Sequence, residues 1–118
     1  INLVPGNHDG CWIGNRTHDK WVPIYEDHGI TVHPSSVVIH IGDSPVLLNH
    51  FPYSVIDHAD EDGVRYPWAY PQATGIPLLH GHVHSVWHTS ANQFNVGVDV
   101  NNLAPVSEGA ISAWLNSL

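Results

Sequence analysis

Positive charge is scarce in this chain, with 3 Lys+Arg against 11 Asp+Glu and a formal net charge of −8. Non-specific nucleic-acid binding needs basic surface to neutralise phosphates, so it is not expected. Divalent cations bring their own positive charge and remain compatible. Cysteine occurs once, as Cys11, which excludes an intrachain disulfide. With no recognisable leader in these residues, a reducing, cytoplasmic compartment is expected. No apolar run approaches the ~20 residues that span a bilayer, so no membrane partner is expected. Methionine is absent, and the chain opens on Ile1-Asn2-Leu3-Val4-Pro5, which reads as a strand already in progress. Removal of an initiator Met would also explain the absence, but the opening favours an internal or C-terminal piece of a longer protein.

What is present points to a packed segment. Hydrophobic residues make up 42% and include 5 Trp, too apolar for a disordered chain. A length of 118 residues allows one domain at most, or part of one. With 9 Pro and 10 Gly, connections should be many and helices few.

Ile1 to Val4, ending at Pro5-Gly6, predicts a short buried strand. Residues 6–17 read as a loop. Trp21, Ile24, Tyr25 and His28 lie at helical spacing, with Pro23 tolerated only in a first turn and Gly29 as a stop. This predicts a helix over 22–28. Ile30 to His33 reads as a strand. Val37–Ile41 and Pro45–Asn49 flank Gly42-Asp43-Ser44, which predicts an antiparallel hairpin. Residues 52–76 form a long irregular stretch rich in acids and aromatics, of the kind that is functional or poorly ordered. Ile76 to His80 predicts a strand, as does Phe94 to Val100, with Val86 to His88 a shorter candidate. Ser107 followed by Glu108 reads as a helix N-cap, and Ile111, Trp114, Leu115 and Leu118 then share one face. On local pattern the class is α+β, or a mixed sheet with helices packed on it.

Histidine is the outlier, with 11 copies. Count alone is a weak metal signal, since most His on a domain are surface residues or core fillers. Spacing carries more. His80-Gly81-His82-Val83-His84 follows the apolar Ile76-Pro77-Leu78-Leu79. His at i and i+2 of an extended segment face one side, and beyond a strand end they can instead reach two neighbouring metals. The plain alternative for that motif taken alone is a surface His pair in a turn. Alternation turns His80 away from the other two. In Gly6-Asn7-His8-Asp9, the glycine permits a sharp turn, Asn7 offers a neutral oxygen, His8 is an acid candidate, and Asp9 could orient it. His50 follows Val46-Leu47-Leu48 at a strand end, where a lone core His bonded to backbone is the better bet in isolation.

Asn7, His50, His82 and His84 thus come in order, each just after an apolar strand, which suits a site at one edge of a sheet. On these residues, and on Phe94 to Val106, the chain resembles the second half of the calcineurin-like metallophosphoesterases. The resemblance implies an α/β fold, with residues 1–118 forming the C-terminal portion of a two-sheet sandwich flanked by helices. It implies that Asn7, His50 and His82 bind one divalent metal and His84 a second, drawn from Mn, Fe, Zn or Ni. It makes His8 the catalytic histidine, oriented by Asp9.

The resemblance also exposes a gap. The family's Asp-x-His and Gly-Asp motifs, which precede Gly-Asn-His and supply the bridging carboxylate, are nowhere in these residues. Gly42-Asp43 lies downstream and reads as a hairpin turn rather than a substitute. Tyr53 and Asp57 could line the site, without an assignable role.

For the complete protein, the implied reaction is hydrolysis of phosphomonoesters or phosphodiesters, small or nucleotide, by two metals about 4 Å apart. Family phosphoprotein phosphatases usually carry Glu where Asp9 stands, so that substrate class ranks lower. The partner implied is the missing N-terminal half of the same domain. Without it the chain is expected to hold at most one weak metal and to turn over little substrate. Two other readings compete: a metallophosphoesterase-like interaction scaffold that has lost catalysis, and a His-rich metal-binding protein in which the remaining His also bind.

Overall fold

Along the chain run β1 (Asn2–Leu3), α1 (His18–Asp27), β2 (Thr31–Val32), β3 (Ser36–Ile41), β4 (Ser44–Asn49), β5 (Leu78–His80), β6 (Thr89–Ser90), β7 (Gln93–Asn95) and α2 (Glu108–Leu115). The computed structural model describes residues 1–53 and 65–118. Asp57 and the other acids of the irregular stretch lie outside the described residues. The result is a mixed α/β arrangement, with a two-stranded sheet and a five-stranded sheet of order β3-β4-β5-β7-β6.

The hairpin forms where the sequence places it. Strands β3 and β4 pair antiparallel with Ile41 opposite Ser44, so only Gly42 and Asp43 turn the chain. Gly42 takes φ +59, which glycine adopts without the Cβ penalty and which a two-residue hairpin turn requires. Asp43 is therefore a turn residue.

Beyond the hairpin, β4, β5 and β7 run parallel to one another. Parallel strands end on the same edge, so the residues after Asn49, His80 and Asn95 emerge side by side. Strands β1 and β2 are also parallel and are joined through α1.

One core lies between the five-stranded sheet and α2. Val46, Leu79, Phe94 and Ile111 are buried there, with Ile39, Ile41, Leu48, Trp114 and Leu115 packed around them. Ser107 caps α2 as expected, its Oγ accepting from Ala110 N at 3.2 Å. Trp114 meets Phe94 edge-on at 5.2 Å between ring centres. The predicted face of α2 is thus the packed one, except for Leu118, which lies beyond the helix and is exposed. A second, aromatic core of Trp12, Phe51, Ala69 and Tyr70 gathers beside the ends of β4 and β5.

Several expectations give way. Helix α1 starts at His18, placing Pro23 in its interior rather than its first turn. Proline removes the N–H that would bond the Asp19 carbonyl. Asp19 is exposed, so water can take that bond. The strand expected over Phe94–Val100 stops at Asn95, and Val98–Val100 is a 3-10 turn. The cause is the Asn95 side chain, which bonds neighbouring loop backbone and bends the chain away. No strand forms at Val86–His88; the short partner of β7 is Thr89–Ser90. The opening strand is less buried than its sequence suggests, with Ile1 87% exposed.

Candidate metal centre

The shared strand edge brings the sequence candidates together. His50 follows β4, His82 and His84 follow β5, and Asn7 and His8 arrive on the loop after β1. These five line one cavity of about 340 Å³, together with Gly81, Asn95, Gly97, Val98 and Asp99.

Asn7 and His50 meet directly, across 43 residues of sequence. His50 Nε2–H donates to Asn7 Oδ1 at 2.9 Å. Two atoms each about 2.1 Å from one cation lie about 3 Å apart when they subtend a right angle. The bonded pair therefore already has the spacing of two ligands, with a proton where a cation would sit. The His82 ring lies 5.2 Å from the His50 ring, centre to centre, and 4.5 Å from Phe51. An amide and two imidazoles from separate strand ends thus converge, and the donor set suits a borderline divalent ion. Among the described residues, no three His, Cys, Asp or Glu side chains group as a metal cage. Only two of the three convergent residues, both histidines, are of those types, and carboxylate is what the set lacks.

The His50 ring is gripped by backbone. A Cβ on Gly6 would stand 2.5 Å from His50 Cε1 and Nδ1, and one on Gly81 would stand 3.7 Å from Nδ1. Glycine at position 6 is thus required by close approach rather than by an unusual φ. Burial lowers the His50 pKa to about 4, against a partial opposing pull from Asp9. The ring is therefore neutral at pH 7, and moving its single proton from Nε2 to Nδ1 would free Nε2 for a cation.

The Gly-His-Val-His segment is not extended, as the i, i+2 argument assumed. His82 takes φ +67 and His84 φ +47, while Val83 between them is buried. Left-handed backbone at bulky non-glycine residues is uncommon and tends to gather at functional sites. The zigzag anchors Val83 inward and sends the two imidazoles to different neighbours. His82 Nε2 lies 3.2 Å from the Tyr70 hydroxyl, which burial keeps protonated by raising its pKa. His84 Nδ1 lies 3.2 Å from Asp99 Oδ2.

His80 turns away, as alternation predicts. It is buried against Trp87 at 4.5 Å, and its Nδ1–H donates to Gly81 O at 2.8 Å. Asp9 does not orient His8 here. Its carboxylate accepts from Gly6 N at 2.8 Å and closes the loop on itself, with no hydrogen bond to His8. Tyr53 has a structural place: its hydroxyl donates to Ile76 O at 2.8 Å.

Three residues at the site escaped sequence reasoning. Asn95 is fully buried; its amide donates to His84 O and Trp87 O, and its oxygen accepts from Gly97 N. A polar residue inside the apolar run Phe94-Asn95-Val96 was the available signal. Tyr70 sits in a stretch without periodicity, and Asp99 lies inside the segment expected to be a strand.

Comparison with known proteins adds little chemistry. The Gene 66 protein of Mycobacterium phage L5 is 37% identical over 107 residues, covering 82% of this chain and 50% of that protein. The Gene 66 protein of Mycobacterium phage D29 is 40% identical over 72 residues, covering 57% of this chain and 35% of its own length. The chain thus spans about half the length, or less, of the curated relatives it matches. No family model matches it. No solved structure matches it.

Proposed function

We propose that this chain is part of a metal-dependent phosphoesterase of the calcineurin-like kind, supplying its histidine and asparagine ligands. The observation that carries the reading is the 2.9 Å approach of Asn7 Oδ1 to His50 Nε2, in a cavity also lined by His8, His82 and His84. Asn7, His50 and His82 would hold one divalent cation and His84 would serve a second. Bound cations would supply Lewis acidity toward a phosphoryl oxygen and an activated water. The chain's own residues do the rest. Burial holds His50 neutral, the glycine at position 6 lets its ring lie against backbone, and His8, on the wall of the same cavity, would give a proton to the departing alkoxide.

The carboxylates that such a site needs for charge balance would come from the remainder of the longer protein. A cavity of about 750 Å³ opens beside His50, lined by Ile39, Ile41, Leu79, Val96 and Ile111 with buried Asn49 and His80 among them. It lies between β1, which contributes Asn2 at its wall, and the five-stranded sheet. An added strand there would cover apolar surface and end near His50. That arrangement would complete the two-sheet sandwich, and the half of the phage L5 relative that lies outside the match leaves room for it.

The His-rich metal-store reading is less favoured. His28 bonds Ile24 O and His33 bonds Asn2, each away from the cavity.

The test is hydrolysis of p-nitrophenyl phosphate and bis-p-nitrophenyl phosphate with added Mn²⁺ or Zn²⁺. The longer protein should turn over at least one of them and lose that activity to chelator, whereas the 118-residue chain should show little. His8→Ala in the longer protein should cost about 10²–10⁴-fold in turnover with metal content retained. Metal-independent turnover, or loss of metal in His8→Ala, would overturn these assignments.

A further inference from the structure

We infer that Asp99 is a positioning residue for His84: it fixes the imidazole with its proton on Nδ1, leaving Nε2 as the free electron pair for a divalent cation. The inference rests on the metal-centre reading and assigns a role to a residue outside the four-ligand set.

The geometry is specific. Asp99 Oδ2 lies 3.2 Å from His84 Nδ1, and both residues line the cavity that holds Asn7, His50 and His82. A carboxylate has only acceptor oxygens, so the hydrogen must sit on Nδ1. Free imidazole has no such constraint. A ligating His commonly donates its second N–H to a carboxylate, which sets the tautomer and raises the basicity of the ligating nitrogen.

Stability does not explain the pair. The side chains are 77% and 47% exposed, and a contact that open to water contributes little to stability. Meanwhile His84 holds left-handed backbone at φ +47, a conformation with its own cost. That backbone is also held, because Asn95 Nδ2 donates to His84 O at 2.8 Å. Asp99 is itself fixed. The Val98–Val100 turn that carries it is followed by Asn101, whose amide donates to Gly97 O at 2.7 Å and Asn95 O at 3.0 Å. The last residue of β7 therefore grips His84 at its carbonyl, and the turn that follows grips it at its ring. An exposed, strained histidine held at both ends is arranged for direction, not for packing.

The experiment is a long-range ¹H–¹⁵N spectrum of the imidazoles in the 118-residue chain at about pH 8, above the ordinary imidazole pKa. His84 should carry its proton on Nδ1. Asp99→Ala should shift it toward the Nε2–H form, and Asp99→Asn, whose amide oxygen still accepts, should retain most of the Nδ1–H form. Zn²⁺ titration of the longer protein, which would supply the remaining ligands of His84's cation, then reads the consequence. Wild-type His84 Nε2 should respond, and Asp99→Ala should weaken that response about 10-fold or more while His50 and His82 respond as before. An Nε2–H tautomer in the wild type, or one unchanged by Asp99→Ala, overturns the proposal. So does zinc that moves His50 and His82 and leaves wild-type His84 unmoved. Zinc that moves none of the three overturns the metal-centre reading itself, and the proposal with it.

Discussion

Adding one methyl group at position 6 should damage the fold more than adding one at position 81, although both touch the same ring. The Gly6 Cβ would meet three His50 ring atoms at 2.5 to 2.8 Å, where ordinary contact begins near 3.4 Å. The ring or the loop must therefore move by about 1 Å, a strain typical of overpacking that costs about 1–3 kcal/mol. The ring has little room to go. Phe51 and His82 stand at 5.1 and 5.2 Å between centres, and Gly81 lies on another side. A shift of that size also breaks the 2.9 Å bond to Asn7, worth a further ~1 kcal/mol. At Gly81 the same methyl would lie 3.7 Å from the ring, in ordinary contact. Neither glycine has a positive φ, so backbone conformation does not separate them. Thermal unfolding followed by circular dichroism should place Gly6→Ala about 4–15 °C below wild type, and Gly81→Ala within a few degrees of it. The unfolded chain loses entropy in both variants, which alone would stabilise each by about 0.4–1 kcal/mol. Equal shifts for the two variants, or stabilisation by Gly6→Ala, would refute the close-packing argument.

The remaining predictions concern protonation and loop support. His50 has a folded pKa of about 4 against about 6.5 unfolded, so the stability tied to its neutral form is present above pH 6.5 and is lost as pH falls toward 4. Urea unfolding should show a loss of at most ~3 kcal/mol across that window, and His50→Asn should flatten it; an equally steep loss in the variant would count against the burial of His50. Asn95→Ala removes a side chain that serves His84 O, Trp87 O and Gly97 N together. It should cost about 2–4 kcal/mol in urea unfolding, and a cost under ~1 kcal/mol would show that water replaces it freely.

Legibility in the sequence followed the physics of each element. The hairpin was readable because a two-residue turn needs a glycine-type φ, and Gly42 stands where β3 and β4 require it. Helix α2 was readable from Ser107 and its apolar stripe. The strand ends carrying Asn7, His50 and His82 were readable because an apolar run followed by a polar residue marks where a strand leaves its core. What local pattern could not supply was the behaviour of side chains that bond backbone far along the chain. Asn95 ends β7 by reaching back to residues 84 and 87, and no periodicity encodes that. Pro23 misled for a related reason: the carbonyl it orphans lies on a solvated face, so the helix extends past it. The left-handed turns at His82 and His84 were hidden because neither is glycine, and the orientation of their rings depends on Tyr70 and Asp99.

The bond between Asn7 and His50 joins a loop of the small parallel sheet to a strand end of the large one. A divalent ion held by Asn7, His50 and His82 would therefore staple two separately hydrogen-bonded units. Ligand binding of this kind enters the folding equilibrium directly. An ion at a hundredfold its dissociation constant would add about 2.7 kcal/mol to the folded state, provided the unfolded chain ignores it. The unfolding midpoint would then report ion affinity even where no turnover can be measured, and the seam between the sheets would be the first place to open when the ion is withdrawn.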